Sequence, residues 1–169
     1  MPSTIELIEQ LIVEHRIFNE RATNLEQVAN DAHLLDGLDE AKDAFTATRP
    51  GAGGGLGKLE SLLDDISPWL NRHFDREETI LLKAVKERGT QEMVNAFNAL
   101  LLEHTELRNR VGQSREQITM LKSGTLARHR WEASANDIRD HLTHTRTLLE
   151  SHSTMENGLF AEMKKLFQE

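Results

Sequence analysis

The fold is decided by one uninterrupted stretch, residues 91–122, which reads QEMVNAFNALLLEHTELRNRVGQSREQITMLK. Its apolar residues recur at steps of three and four, as they do on one face of an amphipathic helix. Ser123 and Gly124 follow the stretch and supply a typical helix stop. We therefore predict one long helix over 91–122. The residues predicted to face the core are Phe97, Leu100, Leu101, Leu107, Val111, Ile118 and Leu121.

The same spacing extends upstream, where a first helix is predicted to open at Ser3 or Thr4 and to stop near Gly37. A short helical piece, Asp39 to Ala47, follows it in this prediction. Arg49 to Gly57 is a glycine-rich breaker. The apolar stripe of the first helix contains Ile5, Ile8, Leu11, Ile12, Phe18, Ala22, Leu25 and Val28.

The glycine-rich segment also invites comparison with a phosphate-binding loop, because backbone amides of such loops bind phosphate groups. The comparison fails, since the pattern needs glycine at Ala52 and serine or threonine at Leu59, and nothing strand-like precedes the segment. We interpret the segment as a loop between helices.

A second helix is predicted after this loop, ending near Gly89, with Pro68 either kinking or restarting it. A fourth runs from about Trp131 past Phe160. Short links between the second, third and fourth helices favour antiparallel neighbours, and thus an up-down-up-down four-helix bundle. The stripe of the second helix contains Leu59, Leu62, Leu63, Ile66, Leu70, Ile80, Leu81 and Ala84.

The composition narrows the possible classes of site. The chain has 169 residues, which suits a single domain over residues 1–169, and it has no cysteine, which excludes disulfides, thiolate metal sites and iron–sulfur clusters. Any metal must therefore bind nitrogen and oxygen. The formal net charge of -8 disfavours nucleic acid as a partner, and no apolar run is long enough for a membrane span. We expect a soluble, cytoplasmic protein.

An internal repeat identifies the candidate site. Residues 11–15 in the first predicted helix read LIVEH, and residues 100–104 in the third read LLLEH. Residues 73–77, HFDRE, and residues 152–156, HSTME, both begin with histidine and end with glutamate. The bundle therefore looks like a duplicated helical hairpin, in which each hairpin supplies one lone histidine and one His/Glu pair.

Helix geometry brings these repeated residues to one level. Residues four apart lie on one face about 6 Å apart, so each His/Glu pair can offer a nitrogen and an oxygen to one cavity. All the repeated residues lie on apolar stripes, where a buried carboxylate needs a cation or loses its charge. The sequence therefore predicts a metal site whose ligands are His15, His73, Glu77, His104, His152 and Glu156.

Two glutamates beside four neutral imidazoles suit two metal ions that share the carboxylates, with two histidines on each ion and a bridging oxygen from solvent. The alternative interpretation has no metal, because a lone histidine on an apolar face is usually a packed core residue and a single His/Glu pair is common on surfaces. The duplication of the whole set favours the metal site.

The other histidines lack a repeated carboxylate partner. His33 and His129 are interpreted as solvated, whereas His141 and His144 could reach the bundle interior. Among the acidic residues, Glu14 and Glu103 precede the lone histidines in both copies and are expected to orient neighbouring groups. Glu78 corresponds to Asn157 in the repeat and is expected to be exposed or to support a ligand.

The ligand pattern resembles the hemerythrin-like family, or HHE cation-binding domain, over nearly the whole chain. The resemblance implies a di-iron centre of two non-haem iron ions, oxo- or hydroxo-bridged, with the four repeated histidines as ligands and Glu77 and Glu156 as bridging carboxylates. The ferritin-like alternative uses Glu-x-x-His, and no glutamate stands three residues before a histidine here.

Two departures separate the chain from oxygen-carrying hemerythrins. Where their third helix has a second histidine, this chain has Arg108, which cannot ligate a cation because it stays protonated. Where their last helix pairs histidine with an aspartate five residues on, Glu156 follows His152 by four. No catalytic residue is identified. Arg108 either forms a surface salt bridge or supports the metal site from outside its ligands.

Fewer nitrogen ligands would leave open positions on both irons, which suits a small ligand such as hydrogen peroxide, dioxygen or nitric oxide. The leading hypothesis is a di-iron oxidoreductase that turns over such a ligand, with catalase-like decomposition of peroxide as the candidate activity. The alternative is a non-catalytic module that senses or stores iron or oxygen. A metal-free helical interaction domain is disfavoured by the buried glutamates.

Overall fold

A computed structural model describes residues 2–30, 55–125 and 127–168 of the chain. All regular structure in these residues is helical, which confirms the all-α prediction. A π-helical turn over Glu77–Leu81 joins the second helix to the third without a break. The helices are α1 (Thr4–Asn30), α2 (Gly55–Arg76), α3 (Leu82–Arg88), α4 (Gln91–Lys122) and α5 (Arg128–Phe167).

The helix ends follow from local hydrogen bonding. At the start of α1, the Ser3 amide donates to Glu6 Oε2 at 2.6 Å and the Glu6 amide donates to Ser3 Oγ at 3.2 Å, which is a capping box. Thr90 Oγ1 caps α4 by accepting from the Met93 amide at 3.2 Å. After α4, Gly124 adopts a φ of 69°, a conformation that favours glycine. The predicted bounds of α4 and the predicted start of α1 are confirmed.

The start of the last helix differs from the prediction. It begins at Arg128 rather than near Trp131, because Ala127 is the extended N-cap residue and no glycine or proline follows it before Trp131. His129 therefore lies in the last helix and not before it. The predicted stop near Gly37, the helical piece at 39–47 and most of the glycine-rich segment lie outside the described residues.

In the second predicted helix, the exposure of Ile80 differs from the prediction. This residue is predicted on the buried stripe, but its side chain is 55% exposed, whereas Leu81 beside it is fully buried. Both lie in the π-helical turn, which holds more residues per turn than an α-helix and so rotates the side chains relative to the predicted stripe. Pro68 lies inside α2 and does not end it.

The helices pack as a bundle in which α1 and α4 each contact α2 and α5. Two separate clusters of buried apolar residues hold the bundle together. The first cluster includes Phe18, Leu25, Leu63, Leu70, Leu107, Ile118, Ile138 and Leu149. The second cluster includes Ile8, Leu11, Leu81, Val85, Phe97, Leu100, Phe160 and Met163. Among the described helices, none is long and apolar enough to cross a membrane.

Candidate metal centre

The six predicted ligand residues converge in one layer between the two apolar clusters. Along α1, for example, Leu11 belongs to the second cluster, Phe18 belongs to the first, and His15 lies between them. The layer is closed to solvent, because each of the six residues is at most 2% exposed. Its members are His15 from α1, His73 from α2, Glu77 from the π-helical turn, His104 from α4, and His152 and Glu156 from α5.

The ligand atoms form two groups that share both carboxylates. The first group contains His15 and His73 with the two glutamates, and the second contains His104 and His152 with the same two glutamates. Within each group the candidate ligand atoms all lie within 4.8 Å of one another. Each group could therefore hold a metal ion, with ligands that come from at least three helical elements.

The inward atoms of these residues are close together, and most of them form no hydrogen bond. The distance from Nε2 to the nearest carboxylate oxygen is 3.0 Å for His73 to Glu77, and it is 3.0 Å for both His15 and His152 to Glu156. Within the described part of the chain, Nε2 of His15 and of His73 and all four glutamate oxygens nevertheless lack a hydrogen-bond partner. Leaving buried polar atoms unsatisfied is costly, so this arrangement fits a bound cation.

The outward nitrogens of the first pair of histidines are held by polar side chains. His15 Nδ1 lies 2.7 Å from Asn157 Oδ1, and His73 Nδ1 lies 2.7 Å from Glu14 Oε2. The guanidinium of Arg76 donates to the same Glu14 oxygen. An acceptor at Nδ1 fixes the proton there and leaves the Nε2 lone pair free to face a metal. The predicted orienting role of Glu14 is confirmed.

The second pair of histidines is held in a similar way. His104 Nδ1 lies 2.8 Å from Glu78 Oε1, and His152 Nδ1 lies 3.7 Å from Glu103 Oε2. The first distance is a hydrogen bond, whereas the second is only an electrostatic contact. Glu78 is therefore a supporting residue, which is one of the two roles expected for it, and Glu103 faces the histidine that the repeat assigns to it.

Arg108 occupies the outer side of this pair. Its guanidinium donates to Glu78 Oε1 at 2.7 Å and to Asp75 Oδ1 at 3.1 Å, and it stands 5.1 Å from the centre of the Phe74 ring. Its side chain is 29% exposed. Of the two roles left open for Arg108, the geometry therefore combines a salt bridge with indirect support of His104 through Glu78.

Aromatic rings separate the inward nitrogens from the rest of the core. Phe74 stacks on His104 with ring centroids 3.8 Å apart, and Phe160 stacks on His15 at 5.7 Å. Phe18 meets His73 edge-on at 5.1 Å. These rings restrict rotation of the imidazoles and keep the surroundings of the site apolar, which strengthens electrostatic interactions inside it.

The buried charges shift the pKa values of histidines and glutamates in the site. Burial by itself would lower the pKa of His15 and of His104, but the carboxylates of Glu156 and Glu77 raise these values to about 10 and about 9. Conversely, burial by itself would raise the pKa of both glutamates, and the surrounding histidines lower it. Protons on the histidines thus balance the buried carboxylates, and a metal cation would compete with them for the same nitrogens.

The remaining histidines lie outside this cluster. His141 Nε2 lies 2.9 Å from the Arg110 carbonyl oxygen, while His129 and His144 are exposed on α5. His33 lies outside the described residues. The sequence analysis did not assign a contact to Asn157, although its position directly after Glu156 in the repeat is a usable signal.

Comparison with models of protein families, with curated proteins and with solved structures gives no match for this chain. Its site is therefore interpreted from its own residues and geometry.

Proposed function

We propose that this chain is a hemerythrin-like di-iron protein that binds and turns over a small oxidant or gas, namely hydrogen peroxide, dioxygen or nitric oxide. The observation that carries the proposal is that two pairs of buried histidines face the same two buried carboxylates. In this proposal His15 and His73 hold one ion, His104 and His152 hold the other, and the two glutamates bridge both.

The donor set is compatible with iron. Four imidazole nitrogens and two carboxylates, with no thiolate, form a nitrogen and oxygen ligand set that suits iron among other transition metals. Two anionic glutamates also balance part of the charge of two cations in an interior that offers little other compensation. When bound, an iron pair would supply redox and Lewis-acid chemistry, and the chain's own residues supply the positioning.

The protein residues act on the site by fixing protons and excluding water. Acceptors at Nδ1, such as Asn157 for His15 and Glu78 for His104, hold the ring proton on the outer side. The Nε2 atoms are then free to bind a cation. The stacked rings of Phe74 and Phe160 keep bulk water from the inward atoms. A small ligand bound there would therefore meet apolar surroundings that exclude bulk water.

The up-down-up-down topology belongs to the same proposal. Lys164 near the end of α5 contacts Glu9 near the start of α1 at 2.7 Å. Arg146, earlier in α5, forms an ion pair with Glu26 near the end of α1. These pairs support an antiparallel arrangement of α1 and α5, and ion pairs between α2 and α4 support the same relation there.

The test is the metal content and optical spectrum of the purified protein, recorded before and after peroxide is added. We expect two irons per chain and near-ultraviolet and visible absorption that changes with peroxide. The matched control is His141→Gln, which removes a histidine outside the site and should change neither result. A colourless protein that contains only zinc, or no metal after incubation with ferrous iron, would contradict the proposal. Bound iron without turnover of any of the three ligands would favour the sensing or storage alternative.

A further inference from the structure

We propose that the two metal positions are unequal, with the ion at His104 and His152 held tightly and the ion at His15 and His73 held weakly and exchangeable. This inference rests on the proposed di-metal centre. The two positions share both bridging glutamates and use two histidines each. Any difference between them must therefore come from the groups that contact the histidines from outside.

The first difference lies at the residue that follows each bridging glutamate. Glu78 contacts His104 Nδ1 at 2.8 Å, while its counterpart in the repeat, Asn157, contacts His15 Nδ1 at 2.7 Å. A carboxylate acceptor makes its histidine a stronger ligand than a neutral amide does. The position at His104 is favoured by this contact.

The second difference is that the repeat replaces charged residues with neutral ones around the first position. Arg108, which anchors Glu78, corresponds to Asn19 in α1, so a charged pair on one side matches two asparagines on the other. Asn157 has no such charged anchor, and Asn19 Oδ1 is buried without a hydrogen-bond partner among the described residues.

The third difference concerns the remaining pair of orienting carboxylates. Glu14, beside His73, is neutralised by Arg76, which donates to the same oxygen. Glu103 lies 3.7 Å from His152 Nδ1, and the repeat places Met155 where Arg76 would stand. The surroundings of the second position therefore carry one more negative charge, which favours a cation there.

The residues that support the weak position also border surface grooves. Asn157 and Asn19 both line a surface groove of about 550 Å³ beside α1. Glu14 and Arg76 line a second groove of about 520 Å³. Both supporting residues of the His15 and His73 position thus border open grooves.

The experiment is an anaerobic titration of the metal-free protein with cobalt(II), whose visible absorption reports coordination. We expect two binding steps that differ in affinity by about tenfold or more, since changes in the groups supporting a ligand typically alter metal affinity by about 10–100-fold. His15→Ala should abolish the weaker step and keep the tighter one, and His152→Ala should do the reverse. In a chelator challenge, wild-type protein should lose one ion well before the other.

Two isosteric variants form a matched pair that changes charge without changing shape. Asn157→Asp should raise the metal affinity of the weaker binding step, and Glu78→Gln should lower the affinity of the tighter step. Each variant should therefore reduce the difference in affinity between the two steps. Circular dichroism verifies that both fold. The inference would be overturned by equal metal affinities of the two steps in the wild type, or by loss of the tighter step in His15→Ala. It would also be overturned if the difference in affinity stayed unchanged in both isosteric variants. Failure to bind any cobalt or iron would instead refute the proposed metal centre itself.

Discussion

Raising the pH of the metal-free protein from 6.5 to 10 should lower its melting temperature by about 10–20 °C. The cause is His15, whose pKa is raised from 6.5 to about 10 by Glu156 and Glu77 although burial opposes the shift. By linkage, such a shift corresponds to roughly 5 kcal/mol of stability. In a domain of this size each kcal/mol is equivalent to about 2–4 °C.

The direction of this effect follows from where the proton is bound. Below pH 6.5 the stabilisation from His15 is fully present, and it is lost as the pH rises toward 10, because the folded protein must then release a proton that it binds more tightly than the unfolded chain does. The pKa of His104 is raised to about 9 by the same glutamates. The stabilising contributions of the two histidines are not additive, since the two side chains share their partners.

The glutamates set the acidic limit of the same profile. The pKa values of Glu77 and Glu156 lie below the usual 4.5, so their stabilisation is present above that pH and is lost as the pH falls through their folded values. The melting temperature of the metal-free protein should therefore be highest between about pH 4.5 and 6.5.

The assay is thermal unfolding followed by circular dichroism after removal of metal with a chelator. Iron-loaded protein is the first control, and its melting temperature should change much less, because cations replace the protons in the site. Metal-free Glu156→Gln should show a weaker dependence on pH than the wild type, while His141→Gln should match the wild type. A melting temperature of metal-free wild type that stays constant from pH 6.5 to 10 would refute the reasoning.

Three further predictions concern metal binding. Glu77→Ala and Glu156→Ala should each lose most of the metal, because both glutamates belong to both ligand groups. If elemental analysis finds two irons in both variants, the bridging ligands must be other residues. Metal binding near neutral pH should release roughly two protons, because the pKa of His15 is raised to about 10 and that of His104 to about 9. The release is measured in weakly buffered solution, and binding without it would contradict this prediction. Arg108→Leu should still bind two ions, with an affinity lower by about tenfold at most, since Arg108 acts through Glu78. Complete loss of metal in a titration would show that Arg108 has a larger role.

The sequence predicted the members of the site because the repeat records which positions share a layer. Positions four apart on one helix must lie on one face, and short links bring neighbouring helices into register. The bounds of α4 were predictable for a similar local reason, since Thr90 caps its start and Gly124 follows its end. In both cases a few neighbouring residues contain all the information needed.

Features that depend on contacts between helices were not predictable in this way. The π-helical turn changes the side-chain direction of Ile80 although the apolar pattern there is that of an ordinary helix. The combined role of Arg108 depends on how closely α4 approaches Asp75 and Glu78. The contact between Asn157 and His15 joins residues 142 positions apart, and no local pattern specifies it.

On each side of the centre, two consecutive residues contact the two ring nitrogens of one histidine. His104 Nε2 lies 3.1 Å from Glu77 Oε2, while its Nδ1 lies 2.8 Å from Glu78 Oε1. His15 is held in the same way, with Nε2 3.0 Å from Glu156 and Nδ1 2.7 Å from Asn157. The useful unit of the repeat is thus longer than His-x-x-x-Glu, because the residue after the glutamate holds the lone histidine of another helix.

These contacts on both ring nitrogens determine which energetic costs oppose metal binding. The imidazoles of His15 and His104 are contacted on both nitrogens and stacked on phenylalanine rings, so their positions are set before any cation arrives. A cation therefore gains binding energy without the cost of ordering its ligands, which favours high affinity. The main opposition comes from the protons that the same carboxylates hold on these rings. Metal affinity should accordingly depend far more on pH than on any rearrangement of the bundle, and similar circular dichroism spectra of the metal-free and loaded proteins at one pH would agree with this view.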